Sequence, residues 1–166
     1  PERDIDTQVQ VNLLGVIHTT RLVLPHMLRR GEGHISNMSS AAGLIAAPTI
    51  TSYAAGKYGV RAFTDSLRRE VSHLGIKVSG IYPGPAVTEF GEKLERTKSR
   101  ETIKRIKYPH MSSEYVAQRE VAVAKRPRRS LVIPWWFRIT TTFDTLFPVA
   151  VDWITYIFSK KNHNLD

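Results

Sequence analysis

Three short apolar runs, each bounded by glycine, serine or proline, alternate with three stretches of helical periodicity. This alternation constrains the fold of the 166-residue chain more than any other feature. Residues 4–30 carry Ile5, Val9, Leu13, Val16, Thr20, Leu24 and Met27 at helical spacing, which predicts one long helix. Pro25 is expected to kink its last turns, and Gly31 and Gly33 to end it. A strand is predicted over 34–38, a helix over 51–73 stopped by Gly75, and a strand over 76–82 ended by Pro83-Gly84-Pro85. Ser112 or Ser113 caps a third helix to about Ala124, Pro127 breaks it, and 131–133 is a third strand. Strands joined by helices pair in parallel through crossovers, so the pattern predicts an α/β fold with a parallel sheet.

Composition removes several chemistries. The 42% apolar and 23% charged shares are those of an ordinary globular domain. The chain has no cysteine, which excludes disulfide scaffolds, thiolate metal sites and cysteine nucleophiles. Its six histidines show no metal-ligand spacing, so no metal site is expected.

Tyr53-Ala-Ala-Gly-Lys57 sets a phenol and an ammonium four residues apart, on one face of the second helix. Ser39-Ser40 stands at the end of the first strand, and ligands of open parallel sheets bind at the carboxyl ends of strands. A free tyrosine, with a pKa of about 10, is too weak an acid to serve as a base at neutral pH. A neighbouring cation stabilises the phenolate, and bringing the pKa to about 7 takes roughly 4 kcal/mol. With a serine hydroxyl beside it, such a pair moves a proton to or from an alcohol or carbonyl oxygen. On spacing alone, an exposed helix pair is the plainer reading of Tyr-x-x-x-Lys.

Context reverses that. Val11-Asn12-x-x-Gly15, His34-Ile-Ser-Asn-Met-Ser-Ser40-Ala-Ala-Gly43, Tyr53-Ala-Ala-Gly-Lys57 and Pro83-Gly-Pro-Ala-Val-Thr88 follow in order. Over residues 8–90, and weakly to 134, the chain resembles the short-chain dehydrogenase/reductase family. The 13-residue step from Ser40 to Tyr53 is the family's own, whereas Gly56 stands where serine is usual. The resemblance implies a Rossmann-like, doubly wound parallel sheet and interconversion of an alcohol with a ketone or aldehyde using NAD or NADP. By that likeness Tyr53 is the acid–base residue, and Lys57 lowers its pKa and holds the nicotinamide ribose. Ser40 holds the substrate oxygen, and Asn12 holds a water in the proton relay. Pro83, Gly84, Ala86 and Thr88 contact the nicotinamide and adjacent phosphates. Ser39 reads instead as a strand-end hydrogen-bond donor.

The family's Gly-x-x-x-Gly-x-Gly turn, which cradles a pyrophosphate at a helix N-terminus, does not occur; Gly80-Ile-Tyr-Pro-Gly84 belongs to the proline–glycine loop. The chain also opens at Pro1 without methionine. It is therefore expected to be the C-terminal, catalytic portion of a longer enzyme, weak in cofactor binding by itself and with one sheet edge exposed. Residues 1–134 would form the catalytic part and 135–166 a C-terminal extension.

Charge is concentrated. Residues 91–129 hold 12 Lys or Arg against 5 Glu, most of the net charge of +9. With no nucleic-acid motif, this reads as a solvated surface near the substrate loop rather than a nucleic-acid site, and its sign favours NADP. From Trp135 to Phe158 the chain is rich in aromatics, but Arg138, Asp144, Pro148 and Asp152 interrupt any membrane span. Packing on the domain or a second subunit is one reading; a helix lying in a membrane interface, with basic flanks, is the other. The expectations are a cytoplasmic enzyme, peripheral on a membrane in the second case, acting on a small alcohol or carbonyl compound. A homo-oligomer is expected for the complete protein from the resemblance. The alternative is a non-catalytic scaffold that binds a membrane or protein partner through its basic, aromatic C-terminus.

Overall fold

The computed structural model describes residues 2–48, 50–86 and 111–163. The chain begins with a helical rod: α1 (Glu2–Val9), a π-helical turn (Gln10–Leu14) and α2 (Gly15–Arg30). The rod is continuous because Val9 and Gly15 keep helical backbone angles, and the Gly15 N–H donates to the Gln10 carbonyl five residues back. The predicted single helix is thus present, with a π turn that hydrophobic periodicity does not reveal. α2 runs through Pro25 to Arg30 and stops at left-handed Gly31.

β1 (Gly33–Met38), α3 (Thr51–Val71), β2 (Ile76–Pro83), α4 (Ser113–Lys125) and β3 (Ser130–Ile133) follow, then α5 (Phe137–Leu146) and α6 (Pro148–His163). The described strands form one parallel sheet in the order β1-β2-β3. Ile35 pairs with Val78, and Ile81 with Leu131. Ser112 caps α4 by accepting the Tyr115 N–H, which selects between the two predicted caps.

Side chains alternate across the sheet, so each face has its own core. On one face Ile35, Ile76 and Val78 pack with Leu67 and Val71 of α3 and Leu24 and Met27 of α2. On the other, Ile81, Leu131 and Ile133 pack with Val123 of α4. Helices therefore cover both faces, as a doubly wound sheet requires. Thr64 of α3 couples packing to polarity: its hydroxyl donates to the Val60 carbonyl and accepts from the buried Asn37 amide at 3.0 Å. Arg68 ties α3 to the sheet, donating to the Val78 carbonyl of β2 and to the Arg129 carbonyl just before β3 while pairing with Asp65. Among the described residues no strand pairs with the outer edge of β1. A groove of about 440 Å³ lies there against α2, lined in part by Val16, Thr20, Val23 and Ile35.

Ile81 is fully buried at the centre of its face. Ile81→Ala is expected to cost about 2–5 kcal/mol in chemical denaturation, from lost burial and the cavity left behind. His34, hydrogen-bonded to Ser79 at 2.8 Å, is held by burial below its ordinary pKa of 6.5. Its neutral form is the one the fold favours, so its contribution to stability is full above about pH 6.5 and is lost as the pH falls through the lowered value. The urea midpoint is expected to fall on acidification from about pH 6.5 to 5, and His34→Gln to flatten that limb.

Candidate active site

The carboxyl ends of β1 and β2 bring the predicted chemistry together. β1 ends at Met38, and the chain turns through Ser39 and Ser40 into a short 3₁₀ turn, Ala41–Gly43. Ser40 caps this turn, its extended backbone letting Oγ accept the Ala42 N–H at 3.2 Å. Oγ also lies 3.5 Å from the Pro83 carbonyl at the end of β2. α3 starts nearby and sets Tyr53 and Lys57 one turn apart on the side facing the strand ends. The Ser40 hydroxyl is hydrogen-bonded to the Tyr53 phenol. The Lys57 ammonium lies 5.7 Å from the Tyr53 ring centroid.

Lys57 is a buried cation, 8% exposed. Its ammonium donates to the Met38 carbonyl at 3.3 Å, one acceptor for three N–H donors among the described residues. The remaining donors suit a ligand that offers hydroxyl oxygens, so the side chain fits a ribose. Burial lowers the Lys57 pKa. Burial also raises that of the Tyr53 phenol, while the hydrogen bond from Ser40 pulls it down. The expectation that Lys57 lowers the Tyr53 pKa is therefore not what governs the phenol in this structure. Desolvation of the phenol outweighs what Ser40 contributes. At neutral pH the phenol keeps its proton.

Three further residues fix this geometry. The Ser39 hydroxyl donates to the Lys57 carbonyl at 2.9 Å, and the Ser39 N–H donates to Ile81 at 2.8 Å, so Ser39 is the strand-end donor the sequence suggests. Gly43 packs so closely that a Cβ would lie 2.5 Å from Ser39 Oγ and 2.6 Å from the Lys57 carbonyl oxygen. Tyr58, next to Lys57, donates to the Leu44 carbonyl at 2.8 Å. The sequence marks Ser39, and Gly43 only as the end of its motif, but gives no sign of Tyr58; the Gly43–Lys57 and Tyr58–Leu44 contacts each span 14 residues.

The other predicted residues stand at different distances from this cluster. Asn12 is half-buried on the π turn, which packs against α3 through Leu13 and Gly59. Among the described residues no hydrogen bond joins its side chain to Lys57. Pro83 ends β2 beside Ser40, and the Gly84 N–H donates to Ile133 at 2.6 Å. Ala86 bridges to Met111. Thr88 lies outside the described residues, as does the stretch 91–110 of the basic segment. The Asn37 amide is committed to Thr64 inside the core.

Residues 1–99 match the sequence profile of the short chain dehydrogenase family. The uncharacterized oxidoreductase YbbO of Escherichia coli is 39% identical over 121 residues, covering 73% of this chain and 44% of that protein. The 3-oxoacyl-[acyl-carrier-protein] reductase FabG of Thermotoga maritima is 40% identical over 101 residues, 61% of this chain and 41% of that one. The chain thus spans less than half the length of these curated relatives. A gluconate 5-dehydrogenase from Burkholderia cenocepacia, solved with NADP and tartrate, superposes with a TM-score of 0.69 at 26% identity over 83% of this chain and 57% of its own. The profile match over more than half of the chain, with a parallel sheet covered on both faces, establishes that it belongs to the short-chain dehydrogenase/reductase family.

Proposed function

We propose that this chain is the catalytic part of an NAD(P)-dependent oxidoreductase that interconverts an alcohol with a ketone or aldehyde. The observation that carries the reading is the Ser40–Tyr53 hydroxyl pair beside the buried Lys57 ammonium, at the carboxyl ends of parallel strands. Ser40 holds the substrate oxygen, and Tyr53 Oη delivers a proton to it in reduction or takes one in oxidation. The phenol protonated at rest is the acid that carbonyl reduction consumes. Lys57 offers its remaining N–H donors to the ribose and steadies the phenolate once the proton has left. The nicotinamide, when bound, supplies or accepts the hydride. Asn12, on its π turn, holds a water on the route by which the proton is replaced.

Pro83, Gly84, Ala86 and Thr88 are assigned to the nicotinamide side of the site. NADP is the favoured cofactor: the gluconate 5-dehydrogenase relative holds it, and the chain's net charge of +9 suits an extra phosphate. Residues 1–134 form the catalytic part, and 135–166 an extension anchored by Phe137, which packs on Leu44, Tyr82 and Val132.

The test is NAD(P)H turnover by the full-length gene product on a panel of ketones and aldehydes. Tyr53→Phe is expected to lower kcat by about 10²–10⁴ with little change in thermal stability, since it removes the proton donor alone. Undiminished turnover by this variant would overturn the assignment. Lys57→Met is expected to abolish turnover yet unfold at the same or a higher urea concentration. It removes a charge that burial disfavours and leaves the backbone acceptor of Ser39 in place.

A further inference from the structure

Two segments leave the sheet side by side at the candidate site. One is the turn after β1, which carries Ser40 and ends at Leu44; the other is the Pro83–Gly84 loop at the end of β2. Their separation decides how far hydroxyls held by one stand from a nicotinamide held by the other. The β1–β2 ladder runs only to Met38 and Ile81, followed by the bond from the Ser39 N–H to the Ile81 carbonyl. Among the described residues no backbone hydrogen bond joins the two segments beyond that point. The contact between Ser40 Oγ and the Pro83 carbonyl is long for a hydroxyl donor, at 3.5 Å.

The Phe137 ring, in the first turn of α5, reaches both. It packs on the cluster of Leu44, Tyr82 and Val132. It also lies so close to Gly84 that a Cβ there would come within 2.6 Å of the ring carbon Cε2. The Ile133 carbonyl oxygen and Pro134 Cδ would meet the same Cβ at 3.3 Å, a milder contact. The ring is held from outside the site. The Phe137 N–H donates to the Pro134 carbonyl at 3.2 Å, and the Phe137 carbonyl accepts from the hydroxyls of Thr140 at 3.0 Å and Thr141 at 2.7 Å. Trp136 stacks on the ring with centroids 4.2 Å apart. Arg138, the next residue, donates to the Ser130 carbonyl and hydroxyl at 3.0 Å, which fixes this turn to the start of β3. Leu44 is tied in turn to the helix that carries Tyr53 and Lys57, its carbonyl accepting the Tyr58 hydroxyl at 2.8 Å. Gly84 is tied to β3 through the Ile133 carbonyl at 2.6 Å. A packed aromatic ring yields little, so it limits how Leu44 and Gly84 stand to one another.

We propose that Phe137 is a positioning residue for the reaction: set against both Leu44 and Gly84, its ring fixes the spacing between the Ser40–Tyr53 hydroxyls and the nicotinamide. The inference rests on the enzymatic reading above and adds to it a residue of the C-terminal extension. Phe137 acts through the two segments and not on the reacting atoms. Transfer needs those atoms about 3–3.5 Å apart, and a displacement of about 1 Å costs on the order of a hundredfold in rate.

The experiment is single-turnover oxidation of bound NAD(P)H by the full-length gene product, followed by stopped-flow fluorescence with the best carbonyl substrate of the panel above. The amplitude counts folded, loaded enzyme, and the rate constant at saturation reports hydride transfer. Phe137→Leu keeps the position apolar but shortens its reach to Gly84. It is expected to lower the rate constant about tenfold while keeping about half of the amplitude or more. Gly84→Ala, which drives a Cβ into the ring, is expected to lower the rate constant about tenfold as well. In the Phe137→Leu background the same substitution is expected to cost about threefold or less, from its contacts with Ile133 and Pro134. An unchanged rate constant in Phe137→Leu overturns the proposal even if the amplitude falls, since lost amplitude alone is an effect on folding. So does an equal cost of Gly84→Ala in both backgrounds. Tyr53→Phe, measured alongside, separates the two readings. A wild-type rate in that variant overturns both. A slow Tyr53→Phe beside a wild-type rate in Phe137→Leu overturns the positioning role alone.

Discussion

The pairing of β2 on both of its edges is the constraint on which this structure depends. Parallel strands cannot be joined by a tight turn, so each pairing obliges the chain to travel back across a face of the sheet. The return from β1 to β2 is α3, and the return from β2 to β3 includes α4, on the opposite face. Because α3 must begin where β1 ends, its first turns necessarily stand over the carboxyl ends of the strands. The meeting of Ser40, Tyr53 and Lys57 is thus a by-product of sheet topology. Arg68 and Thr64, further down α3, hold that helix in place through the Val78 and Arg129 carbonyls and the Asn37 amide.

The electrostatics of the cluster follow from the same burial that makes it precise. Packing α3 against the sheet buries Lys57, and its charge is disfavoured there. The ammonium is held by one backbone carbonyl, less than it would find in water. Stability is therefore spent at this position, while the well-packed residues around it, Ala54 and Val60, supply it. Tyr53 shares the environment with the opposite chemical result, a phenol that keeps its proton.

Much of this was legible in the sequence, for identifiable reasons. Hydrophobic spacing and glycine stops place every described strand and α1 to α4 within a few residues, because each element buries one face and ends at a residue suited to ending it. The step from Ser40 to Tyr53 is readable because a strand end and a helix start are both marked locally. What was not legible depends on contacts between distant backbones. The π turn at Gln10–Leu14 breaks no hydrophobic pattern, since its half-buried Leu13 still meets Gly59 of α3. Gly43 looks like any turn glycine until the Lys57 carbonyl is placed against it. Burial's upward pull on the Tyr53 phenol was not legible either, because spacing reports the nearness of an ammonium and not the desolvation that accompanies it. The aromatic segment after Trp135 left packing and surface contact both open, and the fold divides it: Phe137 is packed against the domain, and Trp153 faces outward.

The bridge between Ala86 and Met111 joins the two ends of the intervening segment at the mouth of the site, backed by the hydrogen bond from the Met111 amide to Pro85. The tie sets the residues just after β2 beside those just before α4, so the end of the central strand is fixed from a second direction. On the other side of the site, the turn held by Ser39, Gly43 and Lys57 admits no added bulk, since even one methyl group on Gly43 would collide with the helix carrying the reactive side chains. The reactive hydroxyls thus stand between two backbone clamps, and their spacing is set by main-chain contacts that side-chain substitution cannot loosen.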